Sequence, residues 1–169
     1  MAIDVLVAYA TKYGSTQEVA EAIATHLDDL GLAVDVQQAR DVASVAPYAA
    51  VVLGAPLYAG RWLGDARRFL RVHRQTLERT PFAVFALGPL LGTEEQFAGA
   101  KVQLDRALAR ERTLTPAAVE IFGGRLHQAD HPFPFSRMPE SDIRDWDAIR
   151  AWSEGLPAKL GLRVPLGAA

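Results

Sequence analysis

Hydroxyl-bearing residues and a glycine crowd one short segment, Thr11-Lys12-Tyr13-Gly14-Ser15-Thr16. Apolar Val19, Ala20, Ile23 and Leu27 recur at helical spacing just beyond it, so the segment sits at a helix N-terminus. Backbone N–H groups converge at such an end, the helix dipole favours negative charge, and Thr and Ser hydroxyls add donors. The combination suits a phosphate dianion, with Gly14 permitting the tight turn. It also describes an ordinary capped helix start. The GK[ST] ending of a Walker loop and the spacing of a GxGxxG loop are both missing.

Two further segments have the residue types to border a ligand. Pro56-Leu57-Tyr58-Ala59-Gly60-Arg61-Trp62 carries two aromatic rings and a glycine. Trp62 reads equally well as the core anchor of a following helix. Gly88-Pro89-Leu90-Leu91-Gly92 has the small residues needed to pass close to a flat ligand, and reads equally as a plain strand-to-helix turn.

Short apolar runs alternate with longer amphipathic stretches, the mark of parallel βαβ architecture. Strands are expected at Ile3–Tyr9, Ala33–Val36, Ala50–Ala55, Phe82–Leu87 and Ala117–Phe122. Helices are expected over Thr16–Leu30, stopped by Gly31, and over about Leu63–Arg79. A third starts at Thr93, with Gln96 completing a capping box and Phe97, Ala100, Leu104 and Leu108 facing inward. After a Pro- and aromatic-rich loop, His127–Pro139, the last helix begins near Ser141 and carries Trp146, Ile149 and Trp152. The expected organisation is one domain over residues 1–160, with a tail that frays after Pro157. In an open parallel sheet, ligands bind at the carboxyl ends of the strands where the winding reverses, which is where the three segments fall.

Composition narrows the chemistry. The 169 residues are 50% hydrophobic and 22% charged, which fits a globular fold. Cysteine is absent, which removes disulfides, iron–sulfur clusters and thiolate nucleophiles, so any redox chemistry needs an organic cofactor. The net charge of −2 does not point to nucleic acid. No apolar run reaches the length of a membrane span, and Met1-Ala2-Ile3-Asp4 lacks the basic flank of a secretory signal, so a cytoplasmic address is expected. Residues 61–79 are locally basic, with Arg61, Arg67, Arg68, Arg71, Arg74 and Arg79 against Asp65 and Glu78. On a continuous helix, Arg67, Arg71 and Arg74 share one face, read either as solvated surface or as a guide for an acidic partner or an anionic small substrate.

Thr11, Gly14 and Thr16 fall on the pattern [ST]-x-T-G-x-T, and the chain resembles the flavodoxin family. Tyr13 departs by replacing a threonine. The resemblance implies a three-layer α/β sandwich with a five-stranded parallel sheet, order 2-1-3-4-5, and non-covalent binding of flavin mononucleotide (FMN). It places the phosphate at Thr11–Thr16 and the isoalloxazine ring near the second segment, where Tyr58 or Trp62 stacks and Gly60 allows close backbone approach. Gly88, Pro89, Leu90 and Gly92 would border the ring.

Within that group, VVLGAPLYAGRW (51–62), FGGRL (122–126) and RDWDAIRAW (144–152) look like the branch containing menaquinone-dependent protoporphyrinogen oxidase. That branch carries a long basic and hydrophobic insertion before its last helix. Here Gly124 to Ser141 is short and holds only Arg125 and Arg137. The expected activity is electron transfer by bound FMN to a quinone or similar small acceptor, with no side chain standing out as acid or base. An electron shuttle between proteins, or a flavin-free interaction domain, are the alternatives. Other chemistries lack their residues. His127 and His131 have no carboxylate cluster for a metal, Tyr9-Ala10-Thr11 stand where a receiver domain needs aspartate, and no nucleophile elbow is visible.

Overall fold

Strand β1 (Val5–Tyr9) is an unbroken apolar run, buried at every position because the chain covers both of its faces. In the computed structural model, which describes residues 3–130 and 132–167, it lies inside the main sheet. Its neighbours are β2 (Val34–Gln38) and β3 (Ala50–Tyr58). β3 pairs with β5 (Phe82–Leu87), and β5 with β6 (Ala118–Phe122). All four pairings are parallel and the order is β2-β1-β3-β5-β6. Counting only these strands, that is the expected 2-1-3-4-5 arrangement. The two-residue β4 (Arg61–Trp62) folds back on β3 as an antiparallel hairpin.

Successive side chains on a strand point to opposite faces, so each buried strand feeds two cores. Val5, Val7, Val52, Phe85 and Phe122 pack beneath α1 (Ser15–Asp29) and α5 (Trp146–Lys159). Leu6, Leu53, Val84 and Ala86 pack beneath α2 (Gly64–Val72) and α4 (Glu94–Leu108). At roughly 1.5–3 kcal/mol for each large side chain taken from water, the two cores supply most of the stabilisation. The sheet keeps one close approach for a glycine: the Phe85 ring lies where a Cβ on Gly54 would project.

Several elements differ from the sequence expectation. β3 runs on to Tyr58, past the expected end at Ala55, because β4 gives its last residues a pairing partner. The expected helix over Leu63–Arg79 is two, broken at His73 (φ −99°, ψ 12°), with α3 covering Arg74–Leu77. Arg74 therefore does not continue the Arg67–Arg71 face. His73 still faces inward and is buried, its ring centroid 4.6 Å from that of Phe69.

The expected capping box at α4 forms only by half. Thr93 Oγ1 accepts from Gln96 N, but the Gln96 carboxamide accepts from the Leu90 and Leu91 amides instead of returning to Thr93. Phe97 and Leu108 are only half-buried there.

Ser141 is not in the last helix: Ser141–Asp142 form β8, antiparallel to β7 (Arg125–Leu126). The Asp145 side chain caps α5 by accepting from Ala148 N. The chain does not fray at Pro157, since α5 continues to Lys159 and Leu160 is buried in the α1/α5 core.

Candidate functional site at the carboxyl edge of the sheet

The first loop is held by its own side chain: Thr11 Oγ1 accepts from the Gly14 amide at 2.9 Å. Gly14 is the N-cap of α1 at φ 89°, a left-handed conformation that a side chain would strain. No side chain caps this helix, so its first-turn amides have no partner inside the helix. Thr16 is fully buried in that turn, and its Oγ1 has no hydrogen-bond partner. A buried hydroxyl without a partner is uncommon and costs about 1–3 kcal/mol.

The second loop is a two-residue hairpin turn. Ala59 (φ 49°) and Gly60 (φ 76°) both have positive φ, as a type I′ turn requires. The turn reverses the chain so that Leu57 pairs with Trp62 and Tyr58 with Arg61. Trp62 is 1% exposed and its Nε1 donates to the Ala55 carbonyl at 3.1 Å. Of the two roles open to it, the structure gives it that of core anchor. Tyr58 is half-buried at the edge, its ring centroid 6.3 Å from that of Tyr13. Lys12 Nζ lies 3.8 Å from the Tyr58 centroid, a cation–π distance. Desolvation pushes the Tyr13 phenol above its ordinary value, hydrogen bonding to Tyr58 acts the same way, and the Lys12 charge opposes them.

The third loop passes close beneath the hairpin. A Cβ on Gly88 would lie 3.1 Å from Leu57 Cδ1, so a side chain there would need the Leu57 tip to shift by a few tenths of an ångström. The Pro89 carbonyl accepts from Gly124 N at 2.7 Å, which ties this loop to the segment after β6. Gly92 turns the chain at φ 69° before α4.

These loops enclose one cleft. Lys12, Tyr13 and Ser15 line it from the first loop, and Pro56, Leu57, Tyr58 and Ala59 from the second. Gly88 and Leu90 line it from the third. Thr11, Gly14 and Thr16 shape the first loop without lining the cleft, and Gly60, Trp62, Pro89 and Gly92 also lie outside its lining. Sequence reasoning missed Leu87, Gly124, Arg125 and Leu126, which complete the wall. Leu87 was marked only as the last residue of an expected strand, and Gly124, Arg125 and Leu126 only by the FGGRL segment, because nothing local shows that β7 folds against the first loop.

Charge fastens that fold. Arg144 is 5% exposed at its side chain and binds Glu18 at 2.6 Å and Asp142 at 2.7 Å. Arg125 binds Glu18 at 3.2 Å and reaches the Tyr13 carbonyl at 3.4 Å. Hydrogen bonds from Arg144 hold both the Glu18 and the Asp142 carboxyls below their ordinary values.

The loop, the sheet order and the cleft all match one pattern, and a family model described as the flavodoxin domain matches residues 6–133. The chain belongs to the flavodoxin-domain family. No curated protein matches it significantly. Oxidised flavodoxin 2 from Bacillus cereus is 21% identical, with a TM-score of 0.58 over 92% of this chain and 99% of that one. A short-chain flavodoxin associated with a non-canonical PDU bacterial microcompartment is 17% identical, with a TM-score of 0.59 over 95% and 99%. Rubredoxin oxygen:oxidoreductase from Desulfovibrio gigas is 16% identical over 93% of this chain but 37% of its own, with a TM-score of 0.54. At these identities the likeness is one of fold.

Flavodoxin-domain proteins typically bind FMN, and the residues present here fit that group. The unpartnered Thr16 hydroxyl and the uncapped turn of α1 suit a phosphate, and the flanking cleft is walled by tyrosine and aliphatic side chains. Among the described residues no three metal-ligating side chains come together, and no helix is long and apolar enough to cross a membrane. His127 Nδ1 instead meets Glu140 at 2.7 Å, and His131 lies outside the described residues.

Proposed function

We propose that this flavodoxin-domain protein binds FMN in the carboxyl-edge cleft and acts as a cytoplasmic oxidoreductase that passes electrons to a quinone or similar small acceptor. The observation that carries the binding half is the Thr16 hydroxyl, fully buried and without a partner in the first turn of an uncapped helix. A phosphate placed there supplies the missing acceptor and meets the positive end of the helix. Ser15 would add a donor from the same turn, and Tyr13 and Tyr58 an aromatic wall for the ring. Bound FMN itself supplies reversible transfer of one or two electrons.

The acceptor half rests on charge and on the branch resemblance. Lys12 and Arg125 line the cleft, and Arg61 stands on the adjoining hairpin. A basic rim favours anionic acceptors over the cationic partners that suit the acidic surfaces of typical flavodoxins, while the quinone class rests on the branch resemblance. The residues between β6 and α5 include the short β7–β8 pair rather than a long basic insertion, so protoporphyrinogen is not included among the proposed substrates.

Titration with FMN and with riboflavin tests the reading. FMN should bind far more tightly, since each lost charge-assisted hydrogen bond at the helix end costs on the order of 1.5–3 kcal/mol. Equal affinities would remove the phosphate assignment, and no binding of either would leave a flavin-free domain. Anaerobic reduction of the loaded protein, followed by a panel of quinones and of protein acceptors, then separates the oxidoreductase from a protein-to-protein shuttle.

A further inference from the structure

Beyond the flavin cleft, four arginines from separate parts of the chain face one small pocket. Arg61 comes from β4, Arg67 from α2, Arg106 from α4 and Arg110 from the turn after it. Gln103 and Gly60 help close a volume of about 200 Å³, sized for one small anionic group. Among the described residues none of the four makes an ion pair. Arg125, Arg144 and Arg150, by contrast, each have a carboxylate within 3.2 Å. Arg67 Nε donates to the Trp62 carbonyl at 3.1 Å, which fixes that guanidinium beside the pocket. Four like charges in a concavity repel one another and focus a positive potential there, and a bound anion relieves both effects. Guanidinium forks match phosphate and carboxylate oxygens equally well in geometry.

The pocket also connects to the cleft. Gly60 and Gln103 line a second groove that extends to Gly88 and Leu90, and those two residues line the flavin cleft. We propose that the arginine pocket anchors the phosphate or carboxylate groups of a small redox substrate whose remaining body lies along this groove toward the cleft. The anion site stands by itself, whereas the redox role of its ligand rests on the FMN reading.

Calorimetric titration of FMN-saturated protein with inorganic pyrophosphate and with citrate tests the anion site. Saturation keeps the α1 loop from competing. At least one anion should bind, and its affinity should fall as salt rises. Combining Arg106→Glu with Arg110→Glu should weaken it by about tenfold or more, with FMN affinity unchanged. Tighter pyrophosphate assigns a phosphate-bearing ligand, and tighter citrate a polycarboxylate. No binding of either, or equal binding in the variant, overturns the site. Should the reversal variant misfold, Arg106→Gln with Arg110→Gln removes the charges without adding acids, and the same results apply.

The substrate role is read from reoxidation of the reduced protein by a sulfonated naphthoquinone and by its neutral parent. The charge variants should slow only the sulfonated compound, and equal effects on both overturn that role. If the parent protein binds no FMN, the titration is repeated with Gly14→Val protein, whose α1 turn is strained at the positive φ of residue 14. Anion binding that survives there and is lost on changing Arg106 and Arg110 keeps the arginine site and discards the FMN reading. Binding lost in Gly14→Val protein overturns it.

Discussion

Arg144 Nη1 lies 2.6 Å from Glu18 Oε2, joining the segment before α5 to the first turn of α1 across 126 positions of sequence. The same guanidinium holds Asp142 on β8, so one buried cation pins the β7–β8 pair against the first loop. Arg144→Ala should destabilise the protein by about 1–2 kcal/mol, allowing for screening at the two half-exposed carboxylates. It should also speed amide exchange in residues 11–18, a change that loss of a remote surface charge would not produce.

The pairing makes stability depend on acid. Glu18 and Asp142 both have folded pKa values below their ordinary ones, chiefly through hydrogen bonds from Arg144. Their contribution is therefore complete above the ordinary carboxylate range, about pH 4–4.5, and is lost as pH falls through the folded values. His73 acts earlier, because burial lowers its pKa and the unfolded chain takes up the proton first. Its effect begins as pH falls below about 6.5. Denaturation midpoints across pH should show both steps. His73→Phe should remove the upper one, and Arg144→Ala should shrink the lower.

Thr16→Val should have opposite effects on stability and on binding. The replacement removes a buried hydroxyl that has no partner, so the FMN-free protein should gain roughly 1 kcal/mol and a higher Tm. FMN affinity should fall about tenfold or more, the loss of a charge-assisted hydrogen bond. A variant that loses stability while binding FMN normally would place this hydroxyl's partner elsewhere.

The two aromatic residues of the hairpin should separate cleanly. Tyr58→Ala should weaken FMN and restore part of its fluorescence, a stacking effect of about 0.5–1.5 kcal/mol beyond buried area. Trp62→Phe should cost about 1 kcal/mol of stability through the lost bond to the Ala55 carbonyl, with flavin emission unchanged. Emission that responds to Trp62 and not to Tyr58 would reverse the assignment.

At the centre of the sheet, Gly54→Ala should be among the most damaging small substitutions. The added methyl would enter the Phe85 ring, which is fully buried between β3 and α5 neighbours. Overpacking of this kind costs about 1–3 kcal/mol, and Phe85→Leu in the same chain should recover part of it. Chemical denaturation of the single and double variants measures both.

The buried strands were legible because parallel strands covered on both faces must read as unbroken apolar runs, as at Val5–Tyr9 and Phe82–Leu87. The first loop was legible for a related reason: hydroxyls and a glycine before a helix are a local pattern, and Gly14 does form the expected turn, at a positive φ. Trp62 could not be assigned, since an indole suits a core and a ligand ring equally. Only the hairpin, which turns its Nε1 onto Ala55, separates the two.

The break at His73 was hidden because its flanking residues keep helical periodicity while the backbone does not. The sequence by itself thus determined the layer architecture and the place of the first loop, since both follow from local periodicity and capping chemistry. Tertiary structure alone decided that Arg125 walls the cleft, that Arg144 pins it through Glu18, and that Arg61 and Arg67 meet Arg106 and Arg110. Those partners are far apart along the chain, and long-range charge pairing and packing leave no periodic trace in the order of residues.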